Sequence, residues 1–392
     1  MNKNFKRIIF AVVYLAYTFI YIARLNLSMA GSGLISMNVI STVQMGLLGS
    51  VFSTVFAVGR FVNGGISDRR PPWVMITAGL VIAGISNIFV GFFPPFTGMF
   101  ILWTANAYAQ SMLWSSVLCV VSQVYGEKEA KKKTSVMITS VATGNILGIV
   151  VNTFLITHFG ERFAFFIPGA MTIILGAAVM LCTRGIENAK TEKKHISLFK
   201  LIRNKELATM SIPAMFHGVM KENISLWMAV YVVDKYSVDL STSSLYILLI
   251  PVIGFLGRAV YTLLYSMMGE RENAVSLAGF LVCTAASLML CFGKIGMAAS
   301  VMALGVIYAA VSVINTSFLS IYPLRYTKTG NISSVSGIMD FATYLGAGVS
   351  SVIYGAVIKH FGYLPMFISW AVISVISMAL IVKAERTQRY LK

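Results

Sequence analysis

Apolar segments long enough to cross a lipid bilayer follow one another along almost the whole sequence. A span needs about 20 mostly apolar residues. Soluble domains carry about 25% charged residues, whereas this chain is 57% hydrophobic and only 11% charged. The sequence therefore predicts an all-α membrane protein with twelve transmembrane helices in two pseudo-symmetric six-helix bundles. The predicted spans are 8–30, 44–66, 73–93, 98–125, 135–158, 164–183, 207–231, 242–268, 274–292, 295–323, 334–358 and 362–382.

Basic residues set the expected orientation of these spans. Of the 31 Lys and Arg residues, 23 fall in the termini and in the loops on one side, and four fall in the loops on the other side. Because cytoplasmic loops are enriched in Lys and Arg, both termini are predicted to be cytoplasmic in an inner (plasma) membrane. The net charge of +17 therefore describes orientation in a lipid bilayer, and no nucleic-acid partner is expected.

The chain also repeats itself. The longest hydrophilic segment, 184–206, is the predicted cytoplasmic linker between an N-terminal six-helix bundle, 1–183, and a C-terminal six-helix bundle, 207–392. Parallel repeats with a binding site at their interface near the bilayer midplane are typical of secondary transporters. Three short segments match between the halves at offsets of 197 to 202: 24–28 with 221–225, 59–60 with 257–258, and 158–160 with 360–362.

Arg24 is the one charged residue of the first predicted span. A guanidinium in hydrocarbon costs at least about 2.5 kcal/mol on insertion scales, so such a residue usually faces a wet cavity, a counter-ion or a substrate. Tyr17, Tyr21 and Ser28 share its helical face, which suits a polar anion with a hydrophobic or ring-bearing body. A structural arginine paired with a carboxylate such as Asp340 is the alternative.

Lys221 holds the matching place in the seventh span, with His217 one turn before it. Glu222 points about 100° away on the helix, so the two side chains need not pair; a neutralising Lys221–Glu222 pair that anchors helix packing is the alternative. Asp340 in span eleven shares a face with Tyr344 and, as an intramembrane carboxylate, is a functional candidate by default. Glu222 and Asp340 are therefore candidate coupling or ion-pair residues, and either could carry a proton.

Gating residues are predicted toward the cytoplasmic ends of spans two and eight. The segment 64–70, which contains Asp68 and Arg69, resembles the G-x-x-x-D-R loop signature of the major facilitator superfamily. In that family the Asp and Arg hold one conformation through contacts between helices. Arg60 and Arg258 lie where a long side chain can reach the interface, and a gating or a structural role is expected for them rather than substrate contact.

Runs of small residues at 142–148 and 343–348 predict close helix packing rather than a binding site. No phosphate-cradling Gly loop, nucleophile elbow or metal-ligand cluster stands out in the sequence. The sequence therefore predicts no cofactor and no metal, and an enzyme is the least favoured class of protein.

One branch of the major facilitator superfamily resembles this chain over most of its length: the organophosphate:phosphate antiporters of glycerol-3-phosphate and hexose-phosphate uptake. The resemblance implies that Arg24 contacts phosphate and that Lys221 stands where the family has a second phosphate-binding arginine. Two departures are Lys221 itself, because lysine lacks the bidentate recognition that arginine offers, and Gly144, which replaces a substrate-linked histidine. The matching residues are Tyr17, Tyr21, Arg24 and Asn26 in span one, Asn106, Gln110 and Trp114 in span four, and Tyr344 and Gly346 in span eleven.

The resemblance implies a monomeric secondary transporter that moves a small organic anion by alternating access. The first expectation is an organophosphate, a sugar or polyol phosphate, exchanged for inorganic phosphate. The alternative is a proton-coupled symporter of a carboxylate such as a sugar acid, with Glu222 or Asp340 as proton carrier. A transporter-like sensor is a third class.

Overall fold

A computed structural model describes residues 2–67, 70–186, 203–292, 295–323, 325 and 332–390. Within these ranges the chain folds into twelve α-helices and contains no β-strand, as the sequence predicts. A π-helical turn, Ser317–Ile321, follows α10. The helices are α1 (Lys3–Ser36), α2 (Thr42–Ser67), α3 (Pro72–Gly91), α4 (Phe96–Ser111), α5 (Leu113–Phe159), α6 (Phe163–Thr183), α7 (Lys205–Tyr236), α8 (Leu240–Met267), α9 (Glu272–Cys291), α10 (Met297–Thr316), α11 (Ile332–Phe361) and α12 (Leu364–Tyr390).

Within the described part of the chain, ten of these helices contain a segment that is long and apolar enough to cross a membrane. Helices α4 and α7 do not contain such a segment, and the sequence explains why. Helix α4 has only 16 residues, because its predicted span continues into α5 after a break at Met112. Helix α7 is long, but its apolar run is interrupted by Lys221, Glu222 and Asn223.

Helix α5 covers two predicted spans, and the chain reverses direction within it. Trp114 packs on Tyr17 with ring centroids 5.1 Å apart, and Gly144 lies so close to Thr18 that an added Cβ would be 2.7 Å from its carbonyl oxygen. Thirty residues of straight helix cover about 45 Å, whereas Tyr17 and Thr18 are neighbours. The predicted joint between spans four and five, 126–134, lies in the interval where this reversal must occur.

The described helices belong to two compact units, Met1–Glu192 with Asp239–Ser244, and Lys193–Val238 with Leu245–Lys392. In the first unit α1 packs on α5 and α6, and α3 packs on α4 and α6. In the second unit α7 packs on α11 and α12, and α9 packs on α10 and α12. The same helix pairings recur within each unit, as expected for an internal repeat. Most of the predicted linker, 187–202, lies outside the described residues.

Both small-residue runs serve close helix packing, as predicted. An added Cβ at Gly144 of α5 would meet the Cβ of Tyr21 at 2.6 Å. In the second unit, an added Cβ at Gly346 of α11 would collide with the backbone oxygen of Met215 on α7. Helices with small residues at the contact can bring their backbones close together. The substitution of the expected histidine by Gly144 therefore allows α5 to approach α1 directly.

Candidate functional site

Arg24 lies among aromatic rings in the first unit. Its guanidinium carbon is 4.6 Å from the ring centroid of Phe52, 5.0 Å from that of Phe56 and 5.8 Å from that of Tyr21. Phe52 and Phe56 are stacked with an interplanar angle of 14°, and both are buried. Arg24 itself is half-buried, so the rings stabilise its charge in a partly dehydrated setting.

Sequence reasoning missed Phe52 and Phe56. A signal was present, because Phe52, Phe56 and Arg60 follow at a spacing of four residues and so share one face of α2. The sequence does not show how α2 is rotated about its own axis, and this rotation directs the face toward Arg24.

The remaining predicted residues of α1 continue the aromatic cluster. Tyr17 packs edge-on against Tyr21, with ring centroids 5.5 Å apart, and its ring is tilted by 43° against that of Trp114 of α5 at 5.1 Å. Tyr17 and Ser28 are buried, whereas Tyr21 and Trp114 are half-buried. The structure thus brings four predicted residues, Tyr17, Tyr21, Arg24 and Trp114, into one connected cluster.

Asn26 belongs to a buried polar network that joins α1, α3, α4 and α6, and Gln110 is linked to it through Asn106, which accepts from the Asn87 amide at 3.5 Å. The Asn26 side-chain amide donates to Asn87 Oδ1 at 2.7 Å and to the carbonyl oxygen of Ala164 at 3.1 Å. The Gln110 amide donates to Asn106 Oδ1 at 3.1 Å. Buried amides that bond between helices fix helix positions, so Asn26 holds α1 against α3 and α6, while the substrate-binding role of Gln110 stays a prediction.

The predicted gating residues are only partly described. Arg60 is half-buried, and its guanidinium lies 5.3 Å from the ring centroid of Phe56, the ring that Arg24 also contacts. Asp68 and Arg69 lie outside the described residues, as does the side chain of Arg258. Their gating role remains a prediction.

In the second unit Lys221 pairs with its neighbour Glu222. Lys221 Nζ lies 3.1 Å from Glu222 Oε1 and 5.5 Å from the ring centroid of Tyr344 on α11. The sequence left this pairing open, and the structure shows the alternative in which Lys221 and Glu222 neutralise each other. Both side chains are long and flexible, so their charged ends can meet although their Cα–Cβ bonds diverge.

His217 and Asp340 occupy different environments in the second unit. His217 is fully buried, and its ring nitrogens approach the backbone of Ala214 and Val311 without reaching regular hydrogen-bond geometry. Asp340 is half-buried on α11, one turn before Tyr344. His217 is therefore closed to a substrate in this structure, whereas Asp340 is partly accessible.

The cluster around Arg24 has a definite chemical character. Aromatic rings attract the face of a guanidinium, while its five N–H donors point outward in the plane of the group. Those in-plane donors match carboxylate and phosphate oxygens. A half-buried arginine held in this way inside a membrane span is well suited to bind an oxyanion.

Comparison with known proteins gives a family match over most of the chain. The model of the Major Facilitator Superfamily matches residues 8–349. A probable hexose phosphate transport protein of Chlamydia trachomatis is 25% identical over 316 residues, which are 71% of this chain and 69% of that protein. The membrane sensor protein UhpC of Escherichia coli is 25% identical over 285 residues, 66% of this chain and 64% of that protein.

A glycerol-3-phosphate transporter of Haemophilus influenzae is 30% identical over 194 residues, 48% of this chain and 36% of that protein. The chain thus spans between about one third and two thirds of the length of these relatives. Among solved structures, a bacterial homologue of the human lysosomal transporter Spinster has a TM-score of 0.81 at 17% identity, covering 99% of this chain and 98% of that one. The nucleoside transporter NupG has a TM-score of 0.78 at 13% identity, covering 96% of this chain and 98% of that one.

Proposed function

The chain belongs to the Major Facilitator Superfamily, and from that premise we propose that this multi-pass membrane transporter moves an organophosphate in exchange for inorganic phosphate. The observation that carries the proposal is the setting of Arg24, a half-buried guanidinium that lies over the rings of Tyr21, Phe52 and Phe56 inside a membrane span. The family is one of transporters rather than enzymes, which agrees with the expectation from sequence.

The substrate class follows from chemistry and from the relatives together. In-plane guanidinium donors favour a tetrahedral or planar oxyanion, and the aromatic side chains beside Arg24 provide an apolar surface for the body of a sugar or polyol. Two of the relatives described above are named for transport of phosphate esters. In the proposal Arg24 is the principal phosphate ligand, with Tyr17, Tyr21 and Trp114 around it.

Lys221 is the proposed anion ligand of the second unit. Its ammonium is a compact charge with three donors and lacks the planar fork of arginine, so it contributes attraction more than geometry. We assign Asp68, Arg69, Arg60 and Arg258 to gating in the same proposal.

Counterflow in proteoliposomes tests the function. Vesicles loaded with inorganic phosphate should take up labelled glucose 6-phosphate or glycerol 3-phosphate, and Arg24→Gln should remove that uptake. Unloaded vesicles and vesicles loaded with gluconate serve as controls.

Proton-coupled symport of a carboxylate is the second candidate, because the spans predicted from sequence contain two acidic residues, Glu222 and Asp340, whose side chains are partly accessible. In that case an imposed pH gradient, inside alkaline, would drive uptake of gluconate without internal phosphate. Tight binding of a phosphate ester without any flux would instead point to sensing, the role for which one relative is named.

A further inference from the structure

Lys221 and Glu222 form an ion pair between consecutive residues within a membrane span. The Nζ–Oε1 distance is 3.1 Å, and the side chains are 26% and 12% exposed. They are the two charged residues of the predicted span 207–231. Separate charges at this depth each cost about 2.5–3.5 kcal/mol on insertion scales, so pairing lowers the cost of keeping Lys221 in the span.

The geometry of this pair is unusual for a helix. Side chains at i and i+1 do not face each other, whereas pairs at i+3 and i+4 do. Lys221 also lies over the ring of Tyr344, which leaves the ammonium between a carboxylate on its own helix and an aromatic ring on α11.

We propose that Glu222 is the resident counter-ion of Lys221 in the unloaded transporter and that the oxyanion of the substrate takes its place on Lys221. The inference rests on the proposed function, since it needs an anion that binds near Lys221. Glu222 and the substrate carry charge of the same sign, so the substrate replaces one oxyanion at the ammonium by another. Glu222 therefore keeps the charge of Lys221 compensated before the substrate binds and sets how tightly the anion is held.

The competition has a measurable consequence for affinity. When a binding group is available for only a fraction of the time, the apparent affinity falls by that fraction. A partly exposed ion pair worth about 1 kcal/mol keeps the ammonium occupied most of the time. Removing the carboxylate should then tighten anion binding about fivefold, because a free energy of about 1 kcal/mol corresponds to an affinity ratio of about five.

Binding of inorganic phosphate to the purified full chain tests the inference by titration calorimetry. Glu222→Gln should tighten phosphate binding about fivefold, Lys221→Gln should weaken it, and the double variant should show no gain over Lys221→Gln alone. A purely structural pair would instead give equal or weaker binding in Glu222→Gln, or a gain that persists without Lys221; either outcome overturns the inference.

A second measurement uses the unaltered protein, so it does not depend on the folding of any variant. Carbodiimide labelling of Glu222, read by peptide mass spectrometry, should increase when phosphate is added, because the displaced carboxylate is no longer held by Lys221. Labelling of Glu270, which is exposed and lies outside the spans, provides an internal reference. A labelling rate at Glu222 that phosphate leaves unchanged or lowers would refute displacement.

The outcomes separate this inference from the proposed function. Phosphate counterflow that persists while Glu222→Gln fails to tighten binding would refute the counter-ion role and leave the transport proposal intact. Tighter phosphate binding in Glu222→Gln without counterflow in the wild type would support the counter-ion role and refute the transport proposal.

Discussion

Replacing Phe52 by Leu tests whether the aromatic rings position Arg24 for anion binding. The Phe52 ring centroid is 4.6 Å from the guanidinium, the shortest of the three ring distances around Arg24. Cation–π contacts contribute about 0.5–1 kcal/mol at exposed sites and about 2 kcal/mol when desolvated. Since Arg24 is half-buried, loss of one ring that holds its guanidinium in place should weaken the free energy of phosphate binding by about 1 kcal/mol.

That loss predicts phosphate binding about fivefold weaker in Phe52→Leu than in the wild type. Titration calorimetry with inorganic phosphate measures the change directly. Leucine keeps part of the buried apolar volume, so the folding penalty should stay below the roughly 3–5 kcal/mol of a Phe→Ala truncation. Thermal unfolding of the purified protein checks that the variant is folded under the conditions of the titration.

A matched control separates positioning from general loss of packing. Phe165 is fully buried in the same unit and packs against Phe93 with ring centroids 6.3 Å apart. Phe165→Leu should lower thermal stability by a similar amount and leave phosphate affinity unchanged. If Phe52→Leu binds phosphate as tightly as the wild type, while Arg24→Gln does not bind it, the rings do not orient Arg24 and the reasoning is wrong.

Three further predictions concern other parts of the molecule. Arg24→Lys should reduce phosphate counterflow more than Lys221→Arg, because only the first change removes a planar donor group; equal tolerance of both would argue against Arg24 as principal ligand. Asn26→Leu should lower the free energy of unfolding by about 1–3 kcal/mol, since it leaves polar groups of α3 and α6 without their partner, and denaturant unfolding measures this loss. Gly346→Ala should cost about 1–3 kcal/mol through overpacking against α7, whereas Gly337→Ala on the same helix, with open space around it, should be neutral or stabilising by thermal shift.

The helices and the internal repeat could be predicted from sequence because hydropathy and charge act locally. The joint at 126–134 shows this well: polar and basic residues between two apolar runs indicate a reversal, and the contacts of Trp114 and Gly144 with α1 require one. The same local reasoning identified Gly144 and Gly346 as packing positions, since small residues allow two helix backbones to approach closely.

The surroundings of the charged groups could not be predicted in the same way. Which face of α2 meets Arg24 depends on the packing of α2 on α4, so Phe52 and Phe56 became visible only in the fold. The contact between Lys221 and Glu222 depends on side-chain torsions, which the 3.6-residue period does not fix. Arg24 was identifiable from sequence and its ring partners were not, whereas for Lys221 the pair with Glu222 was one of two alternatives between which only the fold decides.

The matching cations of the two units are stabilised by different chemistry, and this difference has a functional consequence. The rings of Tyr21, Phe52 and Phe56 attract the charge of the Arg24 guanidinium, and an aromatic ring does not accept N–H donors in strong hydrogen bonds. Glu222 accepts directly from the ammonium of Lys221, so it competes with any anion for the same donors. An anion should therefore bind Arg24 without displacing its rings but must displace a carboxylate to reach Lys221. It follows that substitutions at Arg24 should change whether phosphate binds, whereas substitutions at Glu222 should change how tightly it is held.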